Sequence, residues 1–275
     1  MHKKILGGVI AALLAVSASG VWAKCSDVSD TDLENAIAAA AKAKTGGYGL
    51  KMWVTLVDET GLVCRVETNG REGPFAGNRE WLGSRVISAQ KAFTANAFSL
   101  DGYAISTANL YTPVQPGGSL YGLQASNPVD ASQAYLGSPK LYGTETDPLV
   151  GKRIGGINVF GGGLALYKDG KKIGAIGVSG DTSCRDHAFA WQVRGALNAH
   201  PGAGTVGITT FNYGADGTVY SAAQGNLLPN AAVGDELVMG SSTGGLGAYW
   251  NAWAHPMCPN SLPFANAGNG TLMAP

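Results

Sequence analysis

The chain has 275 residues, 19 of them basic and 19 acidic, and 45% of it is hydrophobic. With only 14% charged residues and no basic excess, it lacks the electrostatic footprint of a nucleic-acid binder. Its 41 glycines and 12 prolines announce many turns and long connections between regular elements.

Lys3 and Lys4 precede an apolar run from Ile5 to Val16, and the small-residue triplet Val21-Trp22-Ala23 follows. This is the pattern of a secretory signal peptide over residues 1–23. The run is about a dozen residues, short of the roughly 20 that span a bilayer, and no later stretch approaches that length. The expectation is an exported protein, periplasmic or secreted, without a membrane span. Lys24 stands before Cys25 where lipidation requires a small residue, which argues against a lipid anchor. Loss of the leader removes Lys3 and Lys4 and leaves a net charge of about −2.

Thr31 and Glu34 make a capping-box pattern ahead of Leu33, Ile37, Ala40 and Ala41, predicting a first helix that ends by Gly46-Gly47. Tyr48 to Glu67 reads as two strands around a turn at Asp58 to Gly61. Ser84 is the expected N-cap of a second helix reaching Phe98, with Val86, Ala89, Phe93 and Ala97 on its inner face. Periodicity vanishes from Asp101 to Pro148, where five prolines predict a long ordered loop. A second hairpin follows, Asn158 to Leu166 and Lys172 to Val178, and then a third helix after Gly180 with Phe189, Val193 and Leu197 four apart. This order predicts an α+β fold on an antiparallel sheet.

From Gly195 onward the only charges are Asp216, Asp235 and Glu236, and strand signals are short, at Gly204 to Tyr213 and Glu236 to Met239. The chain therefore divides into a domain at 24–200 and a Gly/Ala/Asn-rich extension at 201–275. The extension is too poor in apolar runs to form its own core and is expected to wrap the domain, held by Cys258. The four cysteines, Cys25, Cys64, Cys184 and Cys258, predict two disulfides in an oxidising compartment. Their spacing does not choose among the three connectivities.

The stretches Trp53-Val54-Thr55-Leu56-Val57-Asp58, Gln90-Lys91-Ala92-Phe93-Thr94-Ala95 and Gly174-Ala175-Ile176-Gly177-Val178-Ser179-Gly180 resemble the landmarks of the GlcG/HbpS-like family of haem-binding proteins. Phe160-Gly161-Gly162-Gly163-Leu164, Asp181-Thr182-Ser183-Cys184 and His255-Pro256-Met257-Cys258 resemble its exported long forms. The resemblance implies a profilin-like sandwich with a five-stranded antiparallel sheet flanked by helices, homo-oligomer assembly, and binding of haem or a related tetrapyrrole.

The candidate site joins Cys184-x-x-His187 to His255-x-x-Cys258. If Cys184 bonds Cys258, their Cα atoms lie roughly 4.4–6.8 Å apart and both imidazoles share one neighbourhood, where they could ligate a haem iron or another metal, His187 being the first choice of ligand and His255 the second. Cys25 with Cys64 is then the second bridge. The plainer alternative makes His187 a helix-start residue and His255 a packing residue, and a third treats the four side chains as a Cys₂His₂ zinc site. Phe160, Ser179 and Arg185 are candidate lining residues, with the Gly177–Asp181 turn a candidate anion holder. Asp181 stands where a hydrolase elbow needs glycine, so that turn is expected to be capped by Asp181 or Ser183 and not to carry a nucleophile. Gly161-Gly162-Gly163 predicts close backbone packing. Trp81, Trp191, Tyr111 and Tyr121 could stack on a porphyrin or fill the core, and Arg85 and Lys91 could meet propionates or solvent. No set of nucleophile, base and orienter is visible in the sequence, which favours a binding protein over an enzyme. The contrasting reading is an oligomeric interaction protein without cofactor, built on the 101–148 loop.

Overall fold

The computed structural model describes residues 25–43, 46–72, 74–202, 205–208, 211–213, 219–221, 234–239, 253–256, 258–259 and 271–272. The signal-peptide pattern at 1–23 lies outside them. After a short 3-10 turn at Cys25–Asp27, helix α1 spans Asp30–Ala40. Ser29, not Thr31, caps it: Ser29 is in extended backbone and its hydroxyl accepts the Asp32 N–H at 3.1 Å, while Thr31 is already inside the helix.

Strands β1 (Trp53–Asp58) and β2 (Val63–Thr68) form the first hairpin. Its turn is fixed by Asp58, whose carboxylate accepts from Thr60 N at 2.8 Å and Leu62 N at 3.0 Å. A two-residue pair follows, β3 (Arg71–Glu72) with β4 (Phe75–Ala76), and then α2 (Ser84–Phe98). Helix α2 starts where expected, but Ser84 is its first residue and Gly83 the cap. Its inner face is Val86, Ala89, Ala92 and Ala95 rather than the predicted stripe: Phe93 is only partly buried and Ala97 is exposed. Small residues face inward because the helix lies almost on the sheet. At Gly177 a Cβ would stand 2.0 Å from the Ser88 carbonyl oxygen.

The 101–148 segment is ordered, as predicted, but contains helical turns that no periodicity announced, among them α3 (Leu123–Ser126) and α4 (Ala131–Ala134). The second hairpin is β5 (Gly163–Lys168) and β6 (Lys171–Ser179), followed by α5 (Ser183–Ala196). β5 begins five residues later than the sequence suggests, because Gly162 adopts φ +124° and residues 158–162 run as a loop.

The sheet order is β2-β1-β6-β5, antiparallel throughout. The expected five-stranded sheet is a four-stranded one among the described residues. The remaining strands, β7 (Phe211–Tyr213) with β8 (Val219–Ser221) and β9 (Val238–Met239) with β10 (Thr271–Leu272), pair with one another and not with its edges. Alternation along β1 sorts the two layers. Val54 and Leu56 meet Leu33, Ile37, Phe189 and Val193 of α1 and α5, while Trp53 and Val57 meet Val86 and Ala89 of α2. Each such buried aliphatic or aromatic side chain contributes about 1.5–3 kcal/mol against exposure.

Two bridges close the structure, Cys25–Cys64 and Cys184–Cys258, with no free cysteine. The extension is also held by an ion pair that the sequence did not reveal. Arg194, on α5, donates to Asp235 at 2.9 Å, both side chains being fully buried. No helix among the described residues is long and apolar enough to cross a membrane.

Candidate functional site

The site is built on the start of α5. Thr182 takes the N-cap position, accepting from Arg185 N at 3.3 Å, where Asp181 or Ser183 was expected. Asp181 is occupied elsewhere: its carboxylate accepts the N–H groups of Tyr48 (2.9 Å), Leu50 (3.0 Å) and Thr182 (2.6 Å), tying the approach to β1 against the β6–α5 turn. That turn is thus internally satisfied by a carboxylate, and an external anion would compete with it.

Lys91 and Asp186 form a buried pair beneath the turn, 2.7 Å apart, with Lys91 also donating to the Val178 carbonyl at 2.9 Å and Asp186 accepting from Asp181 N at 2.9 Å. Burial pushes the Asp186 carboxyl up to about 6 and the Lys91 ammonium down, each partly offset by the other. Lys91 is therefore neither solvated nor free for a propionate. Arg85 likewise differs from expectation: it is buried, forms a two-pronged pair with Asp147 and lies 3.6 Å from the centre of the Tyr142 ring.

The glycine run performs the predicted close packing. A Cβ at Gly162 would come 2.4 Å from the Val178 carbonyl oxygen, and one at Gly161 would come 2.5 Å from the Ser183 carbonyl oxygen and 3.1 Å from His187 Cβ. The loop thereby rests directly on the first turns of α5 and carries Phe160, 42% exposed, to the surface beside it.

Between this loop, the start of α2 and the start of α5 opens a cleft of about 350 Å³. Trp81, Leu82, Ile87 and Phe160 give it apolar walls, Ser179 and Ser183 add hydroxyls, and Asp181 with the Lys91–Asp186 pair forms a charged side. Volume and composition fall within the range of small-molecule sites. Trp81 makes an edge contact with Tyr48 at 6.1 Å, so the predicted stacking residue sits on the rim rather than in the core. Tyr111 lies between Phe160 (6.2 Å) and His255 (5.1 Å). Tyr121 is exposed away from this lining, and Trp191 is buried against His187.

The Cys184–Cys258 bond, Cα–Cα 6.0 Å, brings the late histidine to the cleft wall. His255 Nδ1 lies 2.7 Å from the Pro256 carbonyl oxygen, which can only accept, so Nδ1 carries the proton. Nε2 then presents a lone pair to the Ser183 hydroxyl at 3.0 Å. Burial pushes the imidazole down to about 4, partly countered by the Pro256 hydrogen bond, so it is neutral at pH 7.

His187 is different. It is fully buried, stacks on Trp191 at 6.0 Å, and neither ring nitrogen has a hydrogen-bond partner among the described residues. Burial, followed by the nearby Arg194 charge and His255, holds its pKa well below the usual imidazole value. The two imidazoles are thus brought into one neighbourhood, but among the described residues only His255 hydrogen-bonds a group that lines the cleft. Phe160 and Ser179 line it, whereas Arg185 turns away to donate to the Ala43 carbonyl at 3.1 Å.

The zinc alternative fails on its sulfurs. Cys184, His255 and Cys258 do cluster, but the two sulfurs are bonded to each other and offer no thiolate, and His187 is not in the group. Ser183 and Pro256, as the hydrogen-bond partners of His255, escaped sequence reasoning. Ser183 was within reach, because a 184–258 bridge necessarily brings the residue beside Cys184 close to one three positions before Cys258.

Similarity to known proteins adds a family. An uncharacterized 15.0 kDa protein from the dhaT-dhaS intergenic region of Citrobacter freundii is 36% identical over 104 residues, 38% of this chain and 51% of that protein. The corrinoid adenosyltransferase PduO of Salmonella typhimurium is 32% identical over 117 residues, 42% of this chain and 26% of that protein. The chain thus spans about half and about a quarter of these relatives' lengths. Among solved structures, a PduOC:heme complex aligns at 26% identity and TM-score 0.41, covering 62% of this chain and 95% of that one. The ORFY protein of Klebsiella pneumoniae aligns at 24% identity and TM-score 0.39, covering 61% and 88%. The model of the HbpS-like family, described as haem degrading protein HbpS-like, matches residues 30–194, more than half of the chain and every strand of the central sheet, and the chain belongs to that family.

Proposed function

We propose that this protein is exported and holds haem or a related tetrapyrrole in the cleft between α2, the Phe160 loop and α5, with His255 as the iron ligand. One observation carries the choice of His255: its Nδ1–H is committed to the Pro256 carbonyl, which leaves Nε2 as the ligating atom facing the cleft wall. Metal-binding histidines characteristically donate their other ring N–H to a carbonyl or carboxylate, which fixes tautomer and ring orientation. Family membership and the apolar walls support a flat hydrophobic ligand, with Trp81, Leu82 and Phe160 against it and Ser183 turning aside from Nε2. A bound haem would supply an iron centre; the residues here bind it, orient it and shield it from water. Export is supported by the leader pattern together with two disulfides and no free thiol.

Self-association belongs to the same proposal. Phe75, Leu82, Tyr135, Leu136 and Leu141 are large, apolar and exposed, and several rim a hollow of about 570 Å³ beside Arg85 and Tyr142. Exposed apolar clusters of this kind mark contact surfaces.

The test is hemin titration of the purified mature protein. A saturable Soret shift at one equivalent is expected, weakened at least 100-fold in His255→Ala and retained in His187→Ala. Ser183→Ala, which frees Nε2, should bind as tightly as wild type or more so. An unshifted spectrum at equimolar hemin would refute the reading in favour of an interaction protein without cofactor.

A further inference from the structure

The sulfur atoms of the Cys184–Cys258 bridge sit where a disulfide is readily opened. Cys184 is the second residue of α5, a 14-residue helix. A thiolate there lies at the positive end of the helix, which lowers thiol pKa values and makes the sulfur a good leaving group, although Thr182 Oγ1 already takes the Arg185 N–H and Cys258 Sγ the Cys184 N–H. The second observation lies in the partner. Cys184 is 5% exposed, whereas Cys258 is only partly buried, so an incoming thiolate reaches Cys258 first. The Cys184 N–H already points at Cys258 Sγ, 3.1 Å away.

Cys25–Cys64 is no less accessible, both cysteines being partly buried, but it lacks the position at a helix start. Cys25 lies in a three-residue turn and Cys64 on β2, and an Asp58 carboxylate oxygen lies within 4.8 Å of both sulfurs. Reduction there would place thiolates beside a like charge, which disfavours them.

The consequence of opening the Cys184 bridge falls on His255. His255 lies three positions before Cys258, and among the described residues the other ties of this segment are neutral or apolar: Ser183 to His255 and Cys258, Thr112 to the Ala254 carbonyl, the Tyr111 ring against His255, and Trp253 packed beside Ile105 and Val159. We propose that Cys184–Cys258 is a redox-active disulfide whose reduction by a dithiol releases the segment bearing His255 and discharges the bound tetrapyrrole. The discharge rests on His255 being the iron ligand; the redox activity does not. The exchange is balanced: a thiolate of the dithiol attacks Cys258 Sγ, the S–S bond breaks, and Cys184 leaves as thiolate. The second thiol of the reductant then attacks the mixed disulfide, releasing Cys258 and leaving the reductant as a cyclic disulfide. Two electrons enter the bridge, and the two thiolates take up the two protons the reductant loses.

The experiment has two arms on the mature protein. Without hemin, the protein is equilibrated in reduced and oxidised dithiothreitol mixtures, alkylated with N-ethylmaleimide and peptide-mapped. Cys184 and Cys258 should be labelled at poises where Cys25 and Cys64 remain bonded, with equilibrium constants at least tenfold apart. Simultaneous opening, or opening of Cys25–Cys64 first, would overturn the redox assignment. In the second arm, hemin-loaded protein is reduced with tris(2-carboxyethyl)phosphine, which supplies no thiol to compete for iron. The Soret band should fall in step with labelling of Cys184 and Cys258, and full labelling with the band intact would overturn the discharge. A Cys184→Ser/Cys258→Ser variant should bind hemin at least tenfold more weakly and be indifferent to reductant; if it does not fold, reduction of wild type decides alone. Oxidised wild type that takes no hemin would overturn the tetrapyrrole reading and the discharge together, while the labelling order still decides whether the bridge is redox-active.

Discussion

The two disulfides have similar spans, Cα–Cα 5.4 Å for Cys25–Cys64 and 6.0 Å for Cys184–Cys258, yet they close different neighbourhoods. The first ties a short N-terminal turn to β2, next to Arg65, which stands between Asp30 at 2.6 Å and Glu67 at 3.2 Å. Charges there are matched by charges. The second fastens a tail poor in apolar residues to the start of α5, and the groups it gathers are neutral: an imidazole, a hydroxyl and a carbonyl. A cross-link near paired charges holds structure already formed. A cross-link that imports an imidazole into a cleft wall would make part of the proposed site, which the domain alone lacks.

The sharpest way to break this comparison is to remove the bridges one at a time. The chain-entropy argument assigns about 4 kcal/mol to each, with the 74-residue separation exceeding the 39-residue one by only about half a kcal/mol. Denaturant midpoints should therefore fall by similar amounts in Cys25→Ser/Cys64→Ser and Cys184→Ser/Cys258→Ser, while hemin affinity falls only in the second. Equal loss of hemin in both would mean that the bridges act through global stability and that their neighbourhoods do not matter.

A second intervention separates the two anchors of the tail. Breaking the buried Arg194–Asp235 pair by Asp235→Ala strands an uncompensated guanidinium and should cost about 3–5 kcal/mol in urea unfolding. The double replacement Arg194→Met/Asp235→Leu should recover most of that loss, because an apolar pair has no charge to desolvate.

Acid acts on both ends: on β2 burial raises the Glu67 carboxyl to about 7, so that group gains stability as the pH falls while His255 loses it. His255 is pushed down to about 4 in the folded state, so as the pH falls the unfolded chain, with imidazole near 6.5, takes up its proton first. The stabilisation is full above about pH 6.5 and is lost between 6.5 and 4, on the order of 2–3 kcal/mol. Asp186, raised to about 6 by burial, acts in the opposite sense over part of that window, so the readout is the difference between wild type and His255→Gln. Stability measured from pH 7 to 4 should fall more steeply in wild type than in the variant.

Much of this architecture was legible beforehand because it follows from periodicity and turn chemistry. The Asp58–Gly61 turn, the strand from Lys172 to Val178 and the Phe189/Val193 stripe all emerged where local pattern placed them. What stayed hidden depends on partners distant in sequence. Lys91 looks like a surface lysine until Asp186 is placed beneath it, and nothing local distinguishes Asp235 as the partner of Arg194, 41 residues away. The strand that dissolved at 158–162 shows the same limit, since its glycines serve a close approach to Val178 and Ser183 rather than a pleat. The cysteine–histidine spacings bring both histidines forward with His187 ahead, and the order proposed here is the reverse because of the hydrogen bond from His255 to Pro256, which spacing does not encode.

The smallest effect bears on that ranking. A neutral imidazole must bury one N–H donor and one acceptor, and His187 has a partner for neither among the described residues while packed at zero exposure against Trp191. An unsatisfied buried polar group costs about 1–3 kcal/mol, and exchange for an apolar residue of similar size removes that cost. His187→Leu should therefore raise the unfolding free energy by about 1 kcal/mol, the gain being limited by lost ring contact with Trp191, and should leave the hemin titration unchanged. If His187→Leu instead abolishes the Soret shift while His255→Ala spares it, the ligand is the enclosed imidazole. The cleft-facing geometry of His255 would then be only a packing contact of the tail.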